Sequence, residues 1–545
     1  MAKTPTIDIP QTTPTADVTP APAVTQASIT PSPRQLNLWA VYGICLLISA
    51  IFFFFFGYNS PRYEFNSDID YQWYMTMGHG LVAGKIPYRD LFEQKGPIVF
   101  FVSAFCCLFK NPNIIMLLIE TICMSLFFFF AYRICRKRLN TFYSLLAIPI
   151  LALAIFTTWC RIHSGAAIEE FCLPIYAYFL LCWLEFLFEK RAWNWVRALC
   201  LGLCFGIILW SKFTLIYFMI APMVIWLILN LREHQYRTIV TNLLLMLAGI
   251  LLITLPIVIF YIIHHALDDL FRVYFLVNLT AYNTIPSLNI LTDFWKLKAY
   301  IDLLLSNFGM FFTIGAFILF LIIWGVVRFT IRHWREITGW LVLIAFCVNL
   351  GLLVYFYKGV YYYGQLFPYA ILGVLDLLDL ISSKLILQHR QKLIFTVFTA
   401  ICLVMCLPLF TSFREWNRSA PLVVADVIHN YENEHNTKAT LFCYKILDYG
   451  FYNTVGVVPD DYYYAQNYLD EQRYPAMYVS FQNSIKQQSS DFVITELKTW
   501  NAEKDFLSQY YAPFTGDIIT STYYYHQAYM INFNQDLYFV LLFKI

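Results

Sequence analysis

The sequence predicts an all-α polytopic membrane protein with about eleven transmembrane helices, additional interfacial helices and a small C-terminal α/β domain. Of its 545 residues 59% are hydrophobic and 13% are charged, against roughly 25% charged in a soluble domain. The mean hydropathy is +0.58. The net charge is only +2 and no long basic run occurs, so nucleic acid is not an expected partner. Because of the excess of hydrophobic residues, lipid must solvate much of the chain.

The expected spans follow from apolar runs long enough to cross a bilayer. One stretch, 196–230, is interrupted at Ser211 and Lys212, which predicts two helices joined by a tight turn. The other predicted spans are 36–57, 113–132, 142–159, 171–188, 239–263, 308–327, 338–356, 366–381 and 394–410.

Basic clusters give the orientation, because Lys and Arg in short loops are retained in the cytoplasm. They recur in every second loop, at 133–138, 190–197, 232–237, 328–335 and 384–392. The apolar segment 97–109 is too short to span, so we interpret it as an interfacial or re-entrant helix.

This threading divides the chain into three parts and predicts a multi-pass protein of the plasma (inner) membrane. Residues 1–34 are expected to be a disordered cytoplasmic tail, because they are rich in Thr, Pro and Ala without apolar periodicity. Residues 35–410 form the transmembrane module, with a first external loop at 58–112. Residues 411–545 form the extracytoplasmic α/β domain, in which apolar runs such as 491–495 and 538–543 alternate with polar helical stretches.

The first external loop concentrates charge, glycine and proline between apolar segments: FNSDIDYQWYMTMGHGLVAGKIPYRDLFEQKGPIVFF. Asp68 and Asp70 precede an amphipathic stretch, which puts them near the membrane surface. Arg89, Glu93 and Lys95 follow a Pro-Tyr turn. Such clustering beside a membrane is costly unless it is used, so this loop is the first place to look for chemistry.

This loop resembles that of the GT-C membrane glycosyltransferases, in the branch of protein mannosyltransferases and aminoarabinose transferases. The resemblance is carried by Asp70, by its spacing to GKIPYRD (84–90), and by FEQKGP (92–97), which is similar to the family's Phe-Glu-Lys-Pro or Lys-Pro-Pro element. WSKF (210–213) supplies a further Lys at the outer end of a helix pair. The chain departs from the family in having Ile between Asp68 and Asp70, and Gly96 where a first Pro is usual.

The resemblance implies transfer of a sugar from a polyprenyl-phosphate carrier to an envelope glycan, lipid or protein, with inversion, at the outer face of the membrane. It assigns the general-base role to Asp70, with Asp68 as the alternative, and donor-phosphate binding to Lys95, Arg89 and Lys212. This agrees with the chemistry, because a carboxylate can deprotonate a hydroxyl while cations neutralise the leaving phosphate.

Other polar residues are expected to line the substrate. These are Glu93 and, in the second external loop, His163, Glu169 and Glu170. The spacing of the last three does not fix a metal-ligand set; a divalent cation is left open. The tyrosines of YKGVYYYGQLFPY (357–369) are interpreted first as an aromatic belt, with sugar stacking as the alternative.

Two other functions share parts of this pattern. A transporter or flippase would normally carry internal repeats and broken helices at the midplane of the membrane, and no repeated half is visible. A polymerase of lipid-linked glycans would share the topology and the carrier, and it stays open on the sequence alone.

Overall fold

A helical bundle with a small mixed domain at one end makes up the computed structural model, as the sequence predicts. It describes residues 36–162, 165–282, 315–356, 360–384, 390–406, 420–467, 469–514, 519–523 and 535–545. The predicted tail 1–34 and the predicted domain boundary at 410/411 lie outside these residues.

Each predicted span overlaps at least one described helix of the bundle, and three shorter helices lie outside these spans. Seven helical segments within the described residues are long and apolar enough to cross a membrane, and one of them, Trp195–Arg232, contains two helices. The helices are α1 (Leu38–Phe56), α2 (Ile69–Val82), α3 (Pro97–Cys107), α4 (Pro112–Cys135), α5 (Thr141–Ile162), α6 (Ile168–Glu189), α7 (Trp195–Lys212), α8 (Tyr217–Arg232), α9 (Tyr236–Ile263), α10 (Leu267–Leu270), α11 (Ala316–Arg332), α12 (Ile337–Phe356), α13 (Ala370–Lys384) and α14 (Gln391–Cys406).

Three irregular helical segments connect parts of this bundle. A 3₁₀ turn, Phe213–Ile216, separates α7 from α8, where the sequence predicts the break. A π-helix, Phe271–Tyr282, follows α10. A 3₁₀ segment, Val360–Tyr369, leads into α13. π-helices and long 3₁₀ segments are uncommon and often mark functional regions.

Helix α3 is too short to cross a membrane. Its 11 residues extend about 16 Å at 1.5 Å per residue, roughly half of a bilayer's hydrocarbon core. It packs against α2 and α7. Because α3 does not cross, the chain stays at the end of the bundle that it reached at the end of α1.

Ion pairs gather the basic loops at the opposite end, which we call the basic end. Lys137, after α4, lies 2.6 Å from Glu189 at the end of α6. Arg138 and Arg332 both contact Asp379 of α13, at 3.4 Å and 2.9 Å. Three loops that the sequence assigns to one side thus meet each other.

The C-terminal domain is a five-stranded mixed sheet with helices. Strands β1 (Leu441–Cys443) and β2 (Phe492–Glu496) are parallel, and β5 (Gln535–Lys544) runs antiparallel to β2. Strands β3 (Tyr511–Pro513) and β4 (Ile519–Tyr523) pair with β5. The accompanying helices are α15 (Ala420–His435), α16 (Phe451–Val455), α17 (Pro475–Gln487) and α18 (Leu497–Leu507). The apolar runs at 491–495 and 538–543 lie in β2 and β5.

This domain rests directly on the segments that carry the predicted site. The Thr76 hydroxyl of α2 donates to buried Asp448 at 2.6 Å. Asn453 donates to the Gln72 side chain at 2.7 Å. Each is a hydrogen bond between groups more than 370 residues apart in sequence, so the domain helps to fix the position of α2.

Candidate functional site

The start of α2 positions the two aspartates of the first loop differently. Asp68 is the N-cap residue, and its carboxylate accepts from the Tyr71 amide at 3.0 Å, which satisfies one of the unpaired amides of the first turn. Asp70 lies in that first turn, two residues later. Asp68 is 9% exposed as a residue, whereas the side chain of Asp70 is 21% exposed.

Asp70 is paired with Lys95 in the structure. The Lys95 ammonium lies 3.9 Å from the Asp70 carboxylate, and both side chains are only partly accessible. At this distance the pair attracts electrostatically but is longer than a hydrogen-bonded ion pair. A carboxylate and a cation therefore stand side by side at the end of the bundle that faces the C-terminal domain.

Residues 92–97 are held rigidly around Lys95. The Tyr88 hydroxyl donates to the Lys95 carbonyl at 2.6 Å, and Asn278 donates to the Gln94 carbonyl at 2.7 Å. The Gly96 amide donates to the carbonyl of Ser211 at 2.9 Å. A Cβ at Gly96 would collide with the carbonyl oxygens of Trp210 and Ser211. The backbone approaches α7 so closely that glycine is required at this position.

This close approach brings Lys212 to the same region. Its ammonium donates to Glu169, in the first turn of α6, at 2.7 Å, and both side chains are largely buried. The ammonium also lies 4.1 Å from the ring centroid of Tyr362 and 5.1 Å from that of Tyr361. Aromatic faces attract a cation, so Tyr361 and Tyr362 stabilise the Lys212 charge.

Glu93 is a buried carboxyl group between these charges and the C-terminal domain. It accepts from the Lys95 amide at 3.2 Å, and Asn467 of the C-terminal domain lies 3.5 Å from its other oxygen. Burial raises the pKa of Glu93 to about 7; Lys95 lowers it and Asp70 raises it further. Glu93 thus titrates near neutral pH, and its pKa depends on both members of the Asp70–Lys95 pair.

Tyr74 of α2 interacts electrostatically with the acidic side chains of the site. It is fully buried, which raises its pKa well above the ordinary value, and Asp70, Glu169 and Glu93 add to the rise. Its hydroxyl is protonated at neutral pH and can donate a hydrogen bond.

The remaining predicted residues are Arg89, Glu170 and His163. The Arg89 guanidinium donates to Asp90 at 2.8 Å and to the carbonyl of His264 at 2.7 Å. Glu170 is buried in the first turn of α6, next to Glu169. His163 lies outside the described residues. No group of three His, Cys, Asp or Glu side chains that could hold a metal ion occurs among the described residues.

The sequence pattern did not single out Tyr74 or Asn467. Tyr74 lies inside the helical stretch that follows Asp70, and Asn467 is 374 residues from Glu93, which it contacts, so neither carried a signal. Tyr361 and Tyr362 belong to a stretch for which an aromatic belt was the first interpretation; their contact with Lys212 gives them a place at the site.

Known proteins are similar to this chain in part of its sequence and in its fold. Residues 94–260 match the model of the family described as dolichyl-phosphate-mannose-protein mannosyltransferase. This segment begins inside the 92–97 element and includes Lys95, Glu169 and Lys212. No curated protein matches the chain.

Among solved structures, the fold is similar to the crystal structure of ArnT from Cupriavidus metallidurans in the apo state. The TM-score is 0.57 at 12% sequence identity, over 93% of this chain and 97% of that chain. The similarity therefore includes both the helical bundle and the C-terminal domain. The matched segment and this fold are thus similar to those of the GT-C superfamily of membrane glycosyltransferases.

Proposed function

We propose that this glycosyltransferase moves a sugar from a polyprenyl-phosphate carrier to a hydroxyl of an envelope glycan, lipid or protein, with inversion at the anomeric carbon. The observation that carries the proposal is the Asp70–Lys95 pair, 3.9 Å apart, beside the Lys212–Glu169 pair. A base and two cations in one partly accessible place suit the displacement of a phosphate by a hydroxyl.

Asp70 acts as the general base in this proposal. Its carboxylate accepts the proton of the acceptor hydroxyl while the hydroxyl oxygen forms a bond to the anomeric carbon. The bond from that carbon to the carrier phosphate breaks, and its electron pair leaves with the phosphate. Asp68 keeps the role of helix cap and fixes the first turn that presents Asp70.

Lys95 and Lys212 bind the donor phosphate and neutralise the charge that grows on it. Both ammonium groups already face carboxylates, so the incoming phosphate competes with Asp70 and Glu169. Release of Asp70 from Lys95 as the phosphate arrives leaves its carboxylate available to the acceptor hydroxyl. Arg89 has no part in this scheme because Asp90 and the His264 carbonyl occupy its guanidinium.

The ionisable side chains inside the bundle support an enzyme rather than a transporter. Glu185 lies 2.7 Å from Lys137 and also binds Arg197. Asp376 lies 3.2 Å from Arg328 and 3.1 Å from Arg332. These carboxylates join helix ends at the basic end, whereas a transporter typically uses such groups at substrate or ion sites near the midplane.

The orientation of the basic end decides on which side of the membrane the proposed reaction takes place. If the arginine-rich loops face the cytoplasm, then the N-terminus is cytoplasmic, and the Asp70 site and the C-terminal domain face the outer side of the plasma membrane. A lipid-linked donor could then reach the site from the outer leaflet.

The test is transfer from labelled polyprenyl-phosphate sugars by the purified protein in lipid nanodiscs, with envelope lipids and glycans as acceptors. Asp70→Asn should lower the rate at least 100-fold, within the range typical of a lost general base. Asp68→Asn is the matched control: asparagine caps a helix as well as aspartate does, so the rate should stay within a few-fold of wild type.

The outcomes separate the alternatives. Transfer at the full rate by Asp70→Asn would remove Asp70 from the mechanism. Products that grow by whole lipid-linked repeats would indicate a polymerase. Movement of a lipid or solute across the bilayer without consumption of any donor would indicate a transporter.

A further inference from the structure

A polar cleft, separate from the Asp70–Lys95 pair, lies in the C-terminal domain. Its volume is about 580 Å³, within the range of roughly 300–1,000 Å³ for small-molecule sites. One wall is the end of β2 and the first turns of α18; the other is the segment that follows β1, together with residues around 466–470.

The lining of this cleft suits a neutral polar ligand. Two lysines, Lys445 and Lys498, face three carboxylates, Asp470, Glu496 and Glu503. The Lys445 ammonium is neutralised by Glu503 at 2.6 Å. A phosphate group or another strong anion would meet a slight excess of negative charge here, so electrostatics disfavours it.

Amide and carboxylate groups add the features that recognise sugars. Tyr449 and Tyr478 line the cleft, and Gln466 donates to the Tyr478 hydroxyl at 3.2 Å. Both tyrosines are largely buried against neighbouring aromatic rings, so ligand recognition falls mainly to the amide and carboxylate groups, which can bind hydroxyls. These groups match a neutral molecule with many hydroxyls, which is the chemistry of an oligosaccharide.

Asn467 connects the cleft to the candidate active site. Asn467 lines the cleft and also lies 3.5 Å from the Glu93 carboxyl. The neighbouring contact is a backbone hydrogen bond of 2.9 Å from the Phe92 amide to the Tyr462 carbonyl. A chain-like ligand in the cleft would therefore be anchored next to the segment that carries Lys95.

We propose that this cleft binds a neutral oligosaccharide, the glycan part of the acceptor, while another part of the same acceptor reaches Asp70. The binding chemistry stands on the lining residues; the identification of the ligand as acceptor rests on the proposed transferase function. The C-terminal domain would then select the acceptor as well as hold α2 in place.

The experiment uses the full-length protein in nanodiscs without donor. Binding of maltohexaose, cellohexaose and chitohexaose is measured by saturation-transfer difference NMR and titration. Ala502, exposed on the cleft wall, is replaced by a ring that fills the cleft in Ala502→Trp. The matched control is Asn501→Trp, which adds the same ring at an exposed neighbour outside the lining. Lys498→Ala is a second variant that removes one lining charge without adding bulk.

We expect at least one of the three hexasaccharides to bind wild type and Asp70→Asn equally. Ala502→Trp should raise the Kd at least tenfold and Lys498→Ala several-fold, with no change in Asn501→Trp. Failure of all three to bind wild type, or equal binding by Ala502→Trp, would overturn the assignment. If no donor sugar is transferred but this pattern of binding holds, the proposed function fails while the glycan site stands.

Discussion

Glu93 is the group of the candidate site whose protonation should change near neutral pH. Its pKa rises from an ordinary 4.5 to about 7, mainly through burial. Between these values the folded protein keeps a proton that the unfolded chain has lost. Stability therefore falls as pH rises from about 4.5 to 7 and levels off above that, by roughly 3 kcal/mol for a fully buried group.

Replacing Glu93 by an uncharged isostere should flatten this dependence. Wild type is expected to lose thermal stability between pH 5 and 7, and Glu93→Gln should lose clearly less. Burial raises the pKa of Asp448 to about 6, so a smaller slope of the same sign remains. The unfolding midpoint in nanodiscs is measured across this range. Glu233→Gln, at an exposed position, should keep the wild-type slope; an equal slope in Glu93→Gln would contradict the burial argument.

Individual site residues were predictable where the sequence itself carries their spacing. Asp70, Glu93 and Lys95 lie in one loop of charged residues, so their proximity follows from local sequence. Lys212 entered through the family resemblance and Glu169 as a polar residue of the second external loop, and the structure pairs them. Arg89 was also assigned through the resemblance, but the neighbouring Asp90 binds its guanidinium. Contacts such as Asn467 with Glu93 depend on tertiary packing, which leaves no local pattern.

The 92–97 element depends on a glycine that the family resemblance treats as a departure. Where the family usually has proline before Pro97, Gly96 lets the backbone meet the end of α7. Gly96→Ala should force the element away from Lys212, lower stability by about 1–3 kcal/mol and reduce transfer at least tenfold. Gly43→Ala is the control, because a Cβ there would meet nothing within 4 Å. Equal melting and transfer rates in the two variants would rule out this role for Gly96.

The regular elements were largely predictable because hydropathy and length decide them. The apolar runs give the spans, and the 11-residue α3 is short because its apolar run is short. The π-helix Phe271–Tyr282 and the 3₁₀ segment Val360–Tyr369 were not predicted, since packing rather than composition selects them. The strand pairing of β2 with both β1 and β5 likewise depends on contacts between distant segments.

Across the protein as a whole, charge is separated between the two ends of the bundle. The basic end carries paired arginines and lysines from several loops. The other end carries the Asp70–Lys95 and Lys212–Glu169 pairs and the C-terminal domain. If the basic loops are retained in the cytoplasm, the site faces outward, as we propose. A donor flipped to the outer leaflet would be needed for turnover.

Cysteine labelling can test this orientation in intact cells. Lys504→Cys lies at an exposed position of the C-terminal domain, and Arg335→Cys at an exposed position beyond α11, near the basic end. A membrane-impermeant maleimide should label Lys504→Cys in intact cells and Arg335→Cys only after permeabilisation, with labelling of wild type subtracted as background. The reverse pattern would put Asp70 in the cytoplasm, because the C-terminal domain is hydrogen-bonded to α2 and the two must share a side. A reaction with donors in the outer leaflet would then be impossible at this site, whatever the chemistry of Asp70.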